Sequence, residues 1–88
     1  MNDYQRNRSL LSIIDHYGSE NQIEKCKEEL GELIEAINEQ NRDHVIEEMA
    51  DVLIMCKQLE LMAEATDEVQ AMIDYKILRT LGRMEEHV

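Results

Sequence analysis

Apolar residues recur at spacings of three and four along almost the whole chain, which contains no proline and only three glycines. This spacing places side chains on one face of an α-helix, whereas a half-buried strand would need strict alternation. No run of alternating β-branched residues is present, so no segment is predicted to form a strand. The sequence therefore predicts an all-α protein.

Glycine and capping residues divide the pattern into helices, the first over about residues 3–17. Gly18 ends this helix, as glycine commonly does just past a helix C-terminus. Ser19 through Gln22 has the form of a capping box, which predicts that a second helix begins there. The predicted inward positions are Leu10, Ile13, Ile14 and Tyr17 in the first helix, and Ile23, Cys26, Leu30, Leu33, Ile34 and Ile37 in the second.

The second half of the chain repeats this arrangement. A polar segment, residues 38–43, supplies a tight turn, with Asn41 or Asp43 as the N-cap of a third helix. That helix extends to about residue 64, and Thr66 caps a fourth helix that continues to the C-terminus. The predicted inward positions are Val45, Met49, Val52, Cys56 and Leu59, broadened by Met55 and Met62, and then Val69, Met72, Ile73, Ile77, Leu81 and Met84.

Four amphipathic helices with short connections predict an antiparallel bundle-like protomer in one domain, residues 1–88. A chain of this length buries roughly 60–65% of the surface that it exposes when unfolded, so its own core is small. We therefore expect the bundle to be completed by oligomerisation.

The net charge of −11 is concentrated in the middle of the chain. Residues 20–70 hold fifteen Asp and Glu against four Lys and Arg, while the two ends together balance five against five. Such a segment repels a phosphate backbone, which argues against duplex nucleic acid as a partner. Hard divalent cations, by contrast, need several carboxylate oxygens. For most of these acids, a solvated surface is the better interpretation.

The apolar cluster Leu10 to Ile14 is too short and too interrupted for a signal peptide or a membrane span. Cys26 and Cys56 lie thirty residues apart without a CxxC motif, and we expect both to be reduced, buried and small hydrophobes. A disulfide between them is the less favoured alternative. These features predict a cytoplasmic protein with no membrane partner.

Two pairs of acids stand out on the central helices. Glu29 and Glu32 are three residues apart in the second helix, as are Glu48 and Asp51 in the third. This spacing puts both carboxylates of a pair on one side of the helix, one turn apart. Two facing pairs would present four oxygen ligands to a common point, which predicts a divalent metal site.

The predicted hairpin brings the two pairs level. With the turn near residue 42, Glu32 lies almost opposite Asp51. At about 100° per residue, Glu48 falls inside the apolar arc of its helix, between Val52 and Met55. A carboxylate in such a position needs a cation or a proton to offset its burial. The alternative is that these acids only form solvated faces that keep the protein soluble.

The chain contains the motif EELGE at residues 28–32, then fifteen residues, then the motif EMAD at residues 48–51. This arrangement resembles the EExxE…ExxD signature of the MazG-like all-α NTP pyrophosphatase superfamily, which includes dimeric dUTPases and phosphoribosyl-ATP pyrophosphatases. The resemblance implies a single MazG-like domain whose metal ligands are Glu29, Glu32, Glu48 and Asp51. It also implies assembly as a homodimer or homotetramer.

The same resemblance implies an enzyme. Members of this family hydrolyse nucleoside triphosphates to a monophosphate and pyrophosphate with Mg²⁺ or Mn²⁺, in nucleotide-pool control or housecleaning. Glu32 or Glu48 would also orient the attacking water, and the sequence does not choose between them. The alternative function is a non-catalytic helical oligomer of the same fold that binds metal or nucleotide, or is only structural.

Lys76, Arg79 and Arg83 form one basic stripe on the last helix. They are candidates for binding the substrate phosphates, a role that the resemblance supports. The competing interpretation is that cations near a helix C-terminus are favoured by the helix dipole.

The remaining polar and aromatic residues indicate little about the substrate. His16 and His44 are predicted to be surface or capping residues. The chain has neither tryptophan nor phenylalanine, so an aromatic platform for a base could come only from a tyrosine. This composition favours loose base selectivity. The tyrosines are Tyr4, Tyr17 and Tyr75.

Overall fold

The computed structural model describes residues 1–86, which form four α-helices and no strand. The helices are α1 (Asp3–Tyr17), α2 (Ser19–Glu39), α3 (Arg42–Ala63) and α4 (Thr66–Glu86). The prediction of an all-α chain with four helices is confirmed.

The connections between the helices are short, because residues next to the helix ends supply the caps. Asn2 and Gln5 form a reciprocal capping box at the start of α1, and the Asn41 side chain accepts a hydrogen bond from the His44 backbone N–H to cap α3. The capping box predicted after Gly18 does not form. Gly18 itself is the N-cap of α2, with φ +90, and no side chain caps that helix. The turn from α1 to α2 therefore depends on glycine's access to positive φ.

The antiparallel pair α2 and α3 forms the core of the protein. Its buried apolar residues are few, and an equal number of polar residues is buried with them. A core so composed gains little from the hydrophobic effect and carries a large desolvation cost. The buried apolar residues are Cys26, Ala36, Val52 and Met55, and the buried polar residues are Gln22, Glu29, Glu48 and Gln58.

The inward face of α2 is rotated relative to the predicted stripe. Cys26 is buried and Leu33 half-buried, but Ile34 and Ile37 are more than half exposed. α2 packs against α3 through the edge of the predicted stripe on which Glu29 lies, because that edge carries the small residue Ala36. Two further residues of the predicted stripe, Ile23 and Leu30, are also exposed.

The face of α3 explains a difference between the two cysteines. Both are free, and Cys26 is buried as predicted, but Cys56 is exposed. The inward arc of α3 is centred on Val52 and Met55, and at about 100° per residue Cys56 lies beyond its edge. The expectation of two buried cysteines is therefore wrong for Cys56.

α1 and α4 lie outside this core. Neither helix contains a buried residue, and among the described helices α4 contacts α3 alone. The predicted inward stripe of α4 is consequently left open to solvent, with Ile77 54% exposed and Met84 61% exposed. Among residues 1–86, no helix is long and apolar enough to cross a membrane.

The packing of the hairpin predicts the effect of truncating its buried methionine. Met55→Ala should lower the free energy of unfolding by about 2–5 kcal/mol, since it removes a buried side chain and leaves a cavity. Leu78→Ala, at the 68% exposed Leu78 outside the apolar stripe of α4, should change it by less than about 0.5 kcal/mol. Chemical denaturation measures both, and equal losses would contradict this description of the core.

Candidate metal and active site

Three carboxylates converge between α2 and α3. Glu29 and Glu48 are each 6% exposed, Asp51 is half-buried, and one oxygen of each lies within 4.8 Å of the others. Oxygen atoms so close together can bind one cation in common, because hard divalent ions take carboxylate ligands from several residues. Three of the four acids singled out in the sequence therefore lie close together, and their binding of a metal stays a prediction.

The register of the hairpin creates this cluster. Glu48 and Asp51 stand one turn apart on the inward arc of α3, and the antiparallel arrangement brings Glu29 of α2 against them. The flanking Val52 and Met55 are buried, so the acids are anchored in the packed part of α3. Rigid helices rather than loops therefore position these side chains.

One oxygen of each buried glutamate lacks a partner for its negative charge. Oε2 of Glu29 and Oε2 of Glu48 are buried and have no hydrogen-bond partner among residues 1–86. Burying a carboxylate without compensation costs several kcal/mol, and repulsion between neighbouring carboxylates adds to that cost. An oxygen-ligated divalent cation such as Mg²⁺ fits this donor set, because it would neutralise the charge and coordinate the free oxygens.

Glu32 borders the cluster without belonging to the group of three. It is half-buried, and the charge and hydrogen bonding of Glu29, assisted by desolvation and by Glu48, raise the pKa of Glu32 to about 7. With a pKa near neutrality, the carboxyl group of Glu32 is partly protonated at neutral pH. A cation bound nearby would displace that proton, because it favours the ionised carboxylate. Burial, followed by the charge of Glu29, likewise raises the pKa of Asp51.

Two basic side chains flank the buried glutamates. Lys25 Nζ lies 3.4 Å from Glu29 Oε1, and His44 Nε2 lies 3.4 Å from Glu48 Oε1. His44 also places Nδ1 3.0 Å from Glu39 Oε2, and this contact is the main reason that the pKa of His44 is raised. The His44 ring thus bridges the side chains of Glu39 and Glu48, while the His44 backbone N–H donates the hydrogen bond that caps α3.

Sequence reasoning missed these two flanking residues. Lys25 precedes Glu29 by four residues and His44 precedes Glu48 by four, a spacing that puts each pair on one helix face. The signal was present, but this spacing is common on acidic helices and gains meaning only once Glu29 and Glu48 are known to be buried. Both residues can restrict the rotamers of the acids that they contact.

The basic stripe and the tyrosines lie away from the carboxylates. Lys76, Arg79 and Arg83 are on exposed α4, which does not contact α2, and no ion pair within residues 1–86 involves them. One chain therefore does not bring these cations to the acids, and their role in phosphate binding stays a prediction. All three tyrosines are exposed, namely Tyr4, Tyr17 and Tyr75.

An all-α hairpin that buries acids from both helices around a common point defines a class of carboxylate-rich helical proteins suited to divalent metals. Within that class, the family model of the MazG nucleotide pyrophosphohydrolase domain matches residues 18–81. The chain belongs to this family. Its enzymes hydrolyse phosphoanhydride bonds of nucleotides and generally depend on a divalent metal.

The match includes α2, α3 and most of α4, and therefore every acid of the site. Comparison with curated proteins and with solved structures gives no match in either case. The family assignment consequently rests on the domain model.

The raised pKa of Glu32 predicts a pH-dependent stability in the absence of metal. Its pKa of about 7 in the folded state exceeds the ordinary 4.5, so the folded state holds the proton more tightly than the unfolded state does. The free energy of unfolding should therefore fall as the pH rises between these values, and thermal melts in EDTA from pH 5 to pH 8 (roughly the range in which such a group titrates) measure it.

Two variants make this test specific to the site. Glu32→Gln should flatten the pH dependence, whereas Glu35→Gln, which removes one exposed acid from the same helix, should leave it nearly unchanged. Mg²⁺ should raise the melting temperature most at the higher pH, because the ionised acids bind it better. The same slope in both variants would contradict the assignment to Glu32.

Proposed function

We propose that this protein hydrolyses nucleoside or deoxynucleoside triphosphates to a monophosphate and pyrophosphate in a Mg²⁺-dependent reaction. The observation that carries the proposal is the convergence of Glu29, Glu48 and Asp51, in which one buried oxygen of each glutamate has no hydrogen-bond partner among residues 1–86. Membership of the MazG family supplies the reaction class. A role in nucleotide-pool control or housecleaning follows from that chemistry.

Glu29, Glu32, Glu48 and Asp51 would hold the metal in this proposal, with Mn²⁺ as a substitute for Mg²⁺. When bound, the ion supplies neutralisation of the phosphate charge and activation of a water. Without a bound cation, the acids of this segment would repel a triphosphate. The positions of the acids therefore favour a role for the ion in substrate binding. Lys25 and His44 would keep Glu29 and Glu48 oriented through their 3.4 Å contacts.

Glu32 is the better placed of the two acids predicted to orient the attacking water. Glu48 is enclosed in the cluster, with 6% of its surface exposed, whereas Glu32 stands beside the cluster and remains partly open. A carboxylate at the edge can accept a proton from water while its neighbours ligate metal. In this assignment Glu48 serves mainly as a ligand.

Phosphate binding by Lys76, Arg79 and Arg83 requires a second copy of the chain. The cations lie on a helix without a buried residue, whose apolar stripe is open to solvent. Exposed apolar side chains also lie along α2, so two copies of the chain have apolar faces that they can bury against each other. We therefore propose a homodimer or homotetramer in which α4 of one copy reaches the acids of another.

Release of pyrophosphate tests the catalytic proposal. A panel of NTPs and dNTPs should yield pyrophosphate with Mg²⁺ and none with EDTA. Glu48→Gln should reduce kcat/KM by about 100-fold or more, since a metal ligand contributes several kcal/mol to the barrier reduction. Glu35→Gln is the matched control, because it removes an exposed acid and should retain activity.

The outcomes separate the candidate functions. Full activity in Glu48→Gln would overturn the site assignment. No pyrophosphate from any nucleotide, with Mg²⁺ still raising the melting temperature, would indicate a non-catalytic metal-binding protein. No effect of Mg²⁺ on activity or on melting would leave a structural helical oligomer.

A charge placed in the apolar stripe of α4 tests the assembly. Ile77→Glu should reduce the mass measured by light scattering towards that of one chain, because it puts a carboxylate into the proposed contact. It should also raise KM, since the cations of α4 would no longer reach the partner's site. Leu78→Glu changes the next residue in the sequence, which lies outside the apolar stripe, and should leave both the mass and the KM unchanged. A wild-type chain that is monomeric and fully active would contradict the proposal.

A further inference from the structure

Glu39 lies outside the acid cluster but is linked to it through a single imidazole ring. Its Oε2 accepts a hydrogen bond from His44 Nδ1 over 3.0 Å, and Nε2 of the same ring lies 3.4 Å from Glu48 Oε1. Each ring nitrogen therefore faces a carboxylate. The ring cannot rotate without losing one of these contacts, so Glu39 and Glu48 fix its orientation from both ends.

The contact between Glu39 and His44 spans the turn from α2 to α3. Glu39 is the last residue of α2, and His44 is in the first turn of α3. The turn is already held by other hydrogen bonds, from Gln40 N to Ile37 O and from His44 N to the Asn41 side chain. The bridge across it is therefore not needed to close the turn.

Exposure also argues against a main role of this bridge in stability. The side chain of Glu39 is 57% exposed and that of His44 is 37% exposed. Ion pairs so open to water contribute little to folding, because water screens them and the side chains lose freedom when they pair. The consequence of the bridge that remains is the orientation of the ring against Glu48.

Glu48 has one restrained oxygen and one free oxygen. Only 9% of its side chain is exposed, its Oε1 faces His44, and its Oε2 is buried without a hydrogen-bond partner among residues 1–86. The ring thus contacts one oxygen and leaves the other available to a cation. Groups that hold a metal ligand in this way change the metal affinity by about 10- to 100-fold when they are removed.

We propose that Glu39 is a positioning residue of the metal site, which holds the His44 ring and through it the carboxylate of Glu48. The proposal rests on the proposed function in that it needs a divalent cation at the acids. Because Glu48 is restrained before the cation arrives, it loses less conformational freedom on binding, and the affinity is higher. The α2–α3 turn is thereby part of the site.

Calorimetric titration with Mg²⁺ at one pH tests the proposal without turnover. His44→Ala should raise the Kd for Mg²⁺ by about 10-fold or more, and Glu39→Ala should raise it in the same direction by a smaller factor. Glu35→Ala is the matched control, because it removes the same charge one turn earlier on α2, from an exposed side chain. Its Kd should stay near that of the wild type.

Two further variants separate positioning from charge and from folding. Glu39→Gln keeps an oxygen that accepts the hydrogen bond from His44 Nδ1, so it should restore most of the affinity that Glu39→Ala loses. The double variant of Glu39→Ala and His44→Ala should bind Mg²⁺ like His44→Ala alone, because Glu39 acts through the ring. Melting temperatures in EDTA should change little in all of these variants, since both side chains are exposed.

The outcomes distinguish this inference from the proposed function. An unchanged Kd in Glu39→Ala, tighter binding in His44→Ala, no rescue by Glu39→Gln or additive effects in the double variant would each overturn the inference. Pyrophosphate release by the wild type would then leave the function standing. A Kd that depends on Glu39 as expected, without pyrophosphate release from any nucleotide, would support the inference and overturn the function. A wild type that does not bind Mg²⁺ would overturn both.

Discussion

Negative charge on Glu29, Glu48 and Asp51 is held within a few ångströms between two helices, where the three groups repel one another and water reaches little of them. The α2–α3 contact has few apolar residues with which to offset that repulsion. Lys25 and His44 compensate part of it from the rim. The rest of the balance falls to a proton on Glu32 or to a cation, so the same feature that destabilises the hairpin suits it to a divalent ion.

The acids were predictable because periodicity and spacing are local properties. Glu48 falls between Val52 and Met55 on any α-helix, and the turn length fixes its register with α2, so no knowledge of tertiary packing was needed. The rotation of α2 was not predictable in the same way. Its sequence offers a broad apolar arc, and which edge meets α3 depends on the small Ala36 and on the acids opposite. Cys56 is exposed because of a similar ambiguity on α3.

Burial of amides was harder still to foresee. Nothing in the sequence separates Gln58 from Gln70, since both stand on acidic amphipathic helices, yet one is enclosed and the other exposed. The difference lies in the packing of the helices, because α3 contacts α1, α2 and α4, whereas among the described helices α4 contacts α3 alone. The cations of α4 raise the opposite problem. Their spacing is plain in the sequence, but their distance from any acid depends on contacts beyond a single chain, which periodicity does not specify.

One residue, Gly18, joins α1 to the helices that carry the site, and its φ of +90 is disfavoured for every residue with a side chain. The matched MazG domain begins at this same position. Because α1 buries none of its own residues, the hairpin depends on it little, and the sequence of α1 can change widely without disturbing the acids. The first helix could therefore be exchanged as a unit while the α2–α3 hairpin keeps its acids in place.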